Sequence, residues 1–171
     1  LNAKTWLVLG ASLGLLGVAA GTFGAHALPE YLRAAGADSD LSRRQVWWET
    51  GVRYQMYHAL ALIGVAWVAD RRKSILPSLA GGSMFVGTLI FSGCLYALAL
   101  TGQTFIGAIV PIGGVLFIAG WILLALAGAG LVELQEKKLT AREKLLSESK
   151  SESDKPAAEE PAAEESAARA D

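Results

Sequence analysis

Side chains able to carry acid–base or metal chemistry are scarce in the apolar parts of this sequence, and most fall in one stretch, Arg53, Tyr54, Gln55, Tyr57 and His58. On a helix Tyr54 and His58 share a face at i,i+4, while Glu49, Arg53 and Tyr57 form a neighbouring stripe. Of these groups only the imidazole has an unperturbed charge change near neutral pH. A polar group inside a bilayer is costly unless partnered, so an imidazole in an apolar run is a default place to look for function. Ser92 and Tyr96, four apart, with Thr88 one turn earlier, make a second polar stripe able to hydrogen-bond His58. A satisfied structural histidine and a proton carrier both fit this pattern. Glu49 and Arg53 read more simply as an interfacial ion pair, and the tyrosines as part of an aromatic belt.

His26 raises the question of a two-histidine haem or metal site, and helical rise argues against it. At 1.5 Å per residue His26 lies about 33 Å beyond Lys4, and His58 about 18 Å from Asp70, a mismatch of about 15 Å. No metal and no cofactor is therefore expected. Cys94 is the sole cysteine and sits in an apolar run, which removes an intramolecular disulfide and a cysteine-based metal site. The uncharged stretches hold no carboxylate pair, no serine is assigned to a nucleophile elbow, and no phosphate-binding G-x-x-x-x-G-K-[ST] loop is present. No catalytic residue is assigned, and the chain is read as non-enzymatic. No basic face interleaved with aromatics appears, so nucleic acid is not an expected partner.

The elements that must position these residues follow from charge distribution. Of 171 residues 53% are hydrophobic, and the formal net charge of -1 comes from charges that avoid long stretches. Thr5 to Pro29 has no Asp, Glu, Lys or Arg, and neither has Ser74 to Val132. A span needs about 20 apolar residues, so the second run holds two. The expected fold is an all-α membrane protein, a four-transmembrane-helix bundle over residues 1–132 with helices near 6–28, 43–69, 75–100 and 105–132. A helical extension over 133–146 and a disordered, charged tail over 147–171 follow, the tail having nothing apolar to bury.

Several local signals set the boundaries. Pro29 reads as the stop of the first helix. Lys4, the apolar run and Ala25-His26-Ala27 also imitate a cleavable signal peptide. The glycine pattern favours a retained span, since Gly10, Gly14, Gly17, Gly21 and Gly24 recur at alternating steps of four and three on one face, with small-xxx-small pairs suited to close helix packing. Ser42 with Gln45 resembles a capping box. Trp47-Trp48 reads as an interfacial anchor, and Asp70 to Lys73 as the inner boundary. Thr101 to Thr104 divides the second apolar run, with a glycine to close one helix and a threonine to cap the next. Pro111 is expected to interrupt the fourth helix near Gly107.

Four segments in order, "GTFGAHAL", "YQMYHALAL", "FSGCLYALALTG" and "PIGGVLFIAGW", resemble one small membrane family, domain of unknown function family 423, which includes animal transmembrane protein 256. The resemblance covers roughly residues 6–131 and implies a four-helix protein of bacterial inner membranes and mitochondria. It implies no activity. Cys94 departs from the pattern, which usually has a small residue such as serine there.

The expected role is a non-catalytic packing or interaction module, alone, as a homo-oligomer or in a larger membrane complex. The candidate functional polar cluster is His58, Tyr54, Ser92, Tyr96, Arg53 and His26, and one alternative is a small transporter or proton conductor using His58, Tyr54 and Tyr96 around a narrow polar cavity. Another is a lipid- or quinone-binding accessory protein with a groove near Pro111 and Trp121. The bilayer is a partner in every case. Lys4, Arg71, Arg72, Lys73 and the basic residues after Val132 place both termini on the cytoplasmic side of a bacterial inner membrane.

Overall fold

The computed structural model describes residues 1–153, with side chains given except at 131–134 and beyond 149. It divides into one unit of Leu1–Glu133 and a second beginning at Leu134. Among the described residues there is no strand. The elements are α1 (Ala3–His26), a short α2 (Leu28–Ala34), α3 (Leu41–Arg71), α4 (Leu76–Thr101) and α5 (Val110–Ser153), with 3-10 turns at Asp38–Asp40 and Thr104–Ala108. α1, α4 and the stretch Thr104–Ser149 are long and apolar enough to cross a membrane. α3 is not among them, because Tyr54, Gln55, Tyr57 and His58 dilute its uncharged part.

Side-chain contacts in the first unit fix the helix directions. Gly24 faces Trp48, Gly17 faces Met56, and Gly10 faces Ala59 and Leu62, so α1 and α3 are antiparallel. Gly51 faces Leu95 and Tyr96, and Arg44 donates to the carbonyls of Leu100 (3.3 Å) and Ala99 (3.5 Å), which sets α4 antiparallel to α3. Gly87 faces Phe117 and Gly120 faces Met84, which sets α5 antiparallel to α4. One end of the unit therefore gathers Leu1, whose carbonyl accepts from the Ser78 hydroxyl at 3.0 Å, and Arg72, which donates to the carbonyls of Leu126 (3.1 Å) and Ala127 (2.5 Å). At the other end Leu28, Leu32, Ala37, Trp48 and Ala99 pack together under α2.

All five glycines of α1 face α3, at two different clearances. A methyl at Gly10 would stand 2.8 Å from the Ala59 carbonyl oxygen, at Gly17 2.6 Å from Met56 Sδ, and at Gly24 2.5 Å from the Trp48 ring. At Gly14 and Gly21 it would make ordinary contacts, at 4.0 and 3.6 Å. The close positions recur every seven residues, the interval that keeps a seam facing its partner in a shallow left-handed crossing.

Other local expectations change with packing. Pro29 opens α2 rather than ending α1, since its fixed φ and missing N–H suit a first helical turn, and this brings Leu28 and Leu32 to complete burial. The Ser42–Gln45 capping box does not form. Asp40 occupies the cap position of α3 without a side-chain cap bond and is engaged instead by Arg43 at 2.6 Å. Trp48 is buried, not an exposed anchor, and its indole donates to the Ala20 carbonyl at 2.9 Å. Gly102 closes α4 in the left-handed region at φ 71°, but Thr104 begins a 3-10 turn and not the next α-helix. Pro111 then falls in the first turn of α5, where it costs no hydrogen bond. In the second unit α5 runs to Ser153, past the expected end near Leu146. Along it the Ser147 and Ser149 hydroxyls turn back onto the carbonyls of Lys144 (2.7 Å) and Leu146 (3.0 Å), which satisfies them within the helix. The remainder of the expected tail, 154–171, lies outside the described residues.

Candidate functional site

Two apolar clusters fill the first unit. One gathers Trp6, Leu13, Ala59, Leu62, Val65, Ala80 and Met84, and the other is the cluster under α2. Between them in sequence register, on α3 and α4, lie the polar side chains that are buried among the described residues, Gln55, His58, Thr88 and Ser92. The site is thus a polar layer within an apolar bundle.

Gln55 is its hub. The amide nitrogen donates to the Leu13 carbonyl of α1 at 2.8 Å, and its oxygen accepts from the Tyr96 hydroxyl of α4 at 2.9 Å. One side chain of α3 thereby ties α1 and α4. His58, 3% exposed, uses both ring nitrogens. Nδ1 lies 2.8 Å from the Tyr54 carbonyl, one turn back on α3, and since a carbonyl only accepts, Nδ1 carries the proton. Nε2 then accepts from the Trp121 indole of α5 at 3.3 Å. The ring stacks on Phe117 with centroids 3.5 Å apart and planes 9° off parallel. Tyr54 packs its ring against Phe91 at 4.6 Å and is partly exposed. Thr88 donates to the Met84 carbonyl of its own helix at 2.8 Å.

The predicted cluster is therefore divided. His58 and Tyr54 share an aromatic face with α5, whereas Tyr96 serves Gln55 and gives His58 no bond. Ser92 is buried to 1%, yet its hydroxyl has no hydrogen-bond partner. Arg53 is exposed on the other side of α3, and Glu49, expected to pair with it, does not. The ion pairs among the described residues are Arg43–Asp40 and Arg71–Asp70. His26 is exposed at the end of α1, beyond the Trp48 level and well away in register from Leu13, which faces Gln55. Among the described residues no three His, Cys, Asp or Glu side chains come together in a way that could hold a metal.

Sequence reasoning placed Gln55 in the polar stretch but not among the candidate residues, and it missed Trp121 as a hydrogen-bond donor. The signals were present: Gln55 is three residues before His58, and Trp121 carries the only polar side-chain atom between Val110 and Val132. It also passed over Gly10-Ala11-Ser12-Leu13-Gly14, which spells G-x-S-x-G. That motif needs a sharp strand-to-helix turn, whereas Ser12 is exposed in the middle of α1.

Residues 20–114, which include Gln55, His58, Ser92 and Tyr96, match the family model described as "Protein of unknown function (DUF423)". The UPF0382 membrane protein YwdK of Bacillus subtilis is 42% identical over 130 residues, covering 72% of this chain and 95% of the relative. The chain belongs to the DUF423 family. The relatives of this DUF423 protein also include the UPF0382 inner membrane protein YgdD of Escherichia coli K12, 35% identical over 137 residues and covering 80% of this chain and 96% of that one. The UPF0382 membrane protein SH2409 of Staphylococcus haemolyticus is 44% identical over 124 residues, 72% of this chain and 94% of the relative. No solved structure matches. Family membership and the apolar helices together make this DUF423 protein a membrane protein.

Proposed function

We propose that this DUF423 protein is a four-span, non-catalytic module of the bacterial inner membrane, with both termini cytoplasmic, that serves as a packing or interaction element. A crossing by α3 is supported by its antiparallel packing along α1, from Trp48 opposite Gly24 to Ile63 opposite Gly10, so that an α1 that spans carries α3 across beside it. The polar side chains of α3 are tolerable there because helix neighbours meet them. The orientation rests on Lys4, Arg71, Arg72 and Lys73 together with the basic residues that follow Val132 in the sequence, Lys137, Lys138, Arg142 and Lys144, against Arg33, Arg43, Arg44 and Arg53 on the opposite side.

The observation that carries the non-catalytic reading is that Gln55 and His58 are both held by protein partners, Ser92 alone of the polar layer being left without one. Gln55 and His58 spend their hydrogen bonds on Leu13, Tyr96, Tyr54 and Trp121. A proton carrier needs partners that can pass a proton on, and here Nδ1 meets a backbone carbonyl and Nε2 an indole N–H, neither of which titrates. The test is proton flux in proteoliposomes with an internal pH dye. Wild type and His58→Gln are expected to match empty vesicles while both retain helical circular dichroism. Flux in wild type that His58→Gln abolishes establishes the conductor instead.

A further inference from the structure

At the α2 end of the unit, α1 and α3 enclose a groove of about 310 Å³. Its α1 wall is Gly21, Gly24 and Ala25, and its α3 wall includes Trp48, Val52 and two charged residues, Glu49 and Arg53. The glycines leave the space open. Glu49 and Arg53 stand one turn apart on one face of α3, and neither is in an ion pair with a described residue. The groove therefore offers a carboxylate and a guanidinium side by side, which is the complement of a zwitterion.

The order of the charges narrows the ligand. α1 is a candidate span that ends at His26, so the groove lies in its last two turns, at headgroup depth. Glu49 is nearer the α2 end, and Arg53 is about 6 Å deeper along the axis. Further along the same sides the surface is apolar: Tyr57 and Leu60 on α3 are 54% and 63% exposed, and Val18 on α1 is 60% exposed. A ligand seated here meets, from outside to inside, an anion, a cation and a hydrocarbon-like wall.

We propose that this groove binds the headgroup of an aminophospholipid, with Glu49 accepting hydrogen bonds from the primary ammonium and Arg53 donating to the phosphodiester. In such a lipid the ammonium is outermost, the phosphate lies one two-carbon linker deeper, and the acyl chains follow, matching the sequence of groups along α3. A guanidinium suits phosphate oxygens because it presents donors in a planar fork. A soluble zwitterion uses the two charges but not the apolar wall. The site needs only that α1 spans, so it stands apart from the assignment of a crossing to α3 and from the polar layer.

The test is native mass spectrometry of the full chain, released from nanodiscs holding equal amounts of phosphatidylethanolamine, phosphatidylcholine and phosphatidylglycerol of identical acyl composition. Phosphatidylethanolamine is expected to be retained in preference to both others. Glu49→Gln and Arg53→Gln should each lower that preference about fivefold, the scale of one exposed charge contact. Gly21→Leu should remove it by filling the groove, with the fold kept, since a Cβ at Gly21 meets only Val52 at 3.6 Å. Thermal midpoints in lipid-free detergent should stay near wild type for all three variants. Equal retention of the three lipids overturns the proposal, as does preference for phosphatidylglycerol unaffected by Glu49→Gln, which marks a plain anion contact. Phosphoethanolamine without acyl chains displacing the lipid at equal concentration also overturns it, by showing that the apolar wall contributes nothing.

Discussion

Replacing Gln55 with leucine is expected to loosen contacts among three helices at once. The amide bond to the Leu13 carbonyl is lost, worth about 0.6 kcal/mol on the average for interhelical hydrogen bonds in membranes. That carbonyl also faces its own helix, so its loss adds little. The Tyr96 hydroxyl is the larger cost, because it is left without its acceptor in a partly buried site, at about 1–2 kcal/mol. The sum for Gln55→Leu is about 2 kcal/mol. Tyr96→Phe removes only the second bond and should cost about 1 kcal/mol. The double variant has no stranded hydroxyl, so it should be less destabilised than the two single changes added together, by about 1 kcal/mol. Reversible unfolding in mixed micelles, followed by circular dichroism on all four proteins, measures that coupling. Strict additivity, or a Gln55→Leu protein as stable as wild type, would refute the idea that this amide joins α1 to α4.

Other expectations follow from the same contacts. Gly10→Ala should destabilise by about 1–3 kcal/mol, because its methyl meets the rigid Ala59 carbonyl, whereas Gly14→Ala should be neutral or slightly stabilising through helix propensity. Thermal melts of the pair side by side check this, and equal effects would discard the seven-residue seam. Trp121→Phe keeps an aromatic ring but removes the donor to His58 Nε2, so a loss of about 1 kcal/mol is expected in the same melts. A phosphatase fusion after Leu146 should be inactive and a fluorescent-protein fusion at the same point bright, since that position is expected in the cytoplasm. The reverse pattern overturns the orientation.

Charge gaps sufficed to locate the apolar helices, because exclusion of Asp, Glu, Lys and Arg from a span is a strong one-residue rule. Partner choice was less legible. His58 was placed correctly as an interior group, but whether Ser92, Tyr96 or Trp121 meets it depends on the rotation of α4 and α5 about their axes, which nearly featureless apolar sequences do not encode. The same blindness hid Trp48: an indole near a charged boundary reads as an interfacial anchor until Gly24 is known to open a slot for it. Pro29 and Pro111 were read as breaks, when each sits where a helix begins, a distinction that turns on which side of the ring the hydrogen-bonded turns lie. Ser147 to Ser153 was judged by its lack of apolar surface, yet α5 continues through it, since a helix already begun can be extended without burying anything.

The division of the polar layer has a consequence for the order in which the chain is built into the bilayer. Once α4 has entered, Gln55 has both of its partners, from Leu13 and Tyr96, and nothing in that trio waits on later sequence. His58 Nε2 is different, for its donor arrives only with α5. Between Val110 and Val132 that helix has no polar side-chain atom other than the Trp121 indole nitrogen, so beyond the fit of Gly113 and Gly120 against α4 it carries one polar mark of its depth. The imidazole then adds a polar stop to that packing: the last helix brings its single side-chain donor to the open nitrogen of His58, with Arg72 gripping the Leu126 and Ala127 carbonyls as the second stop.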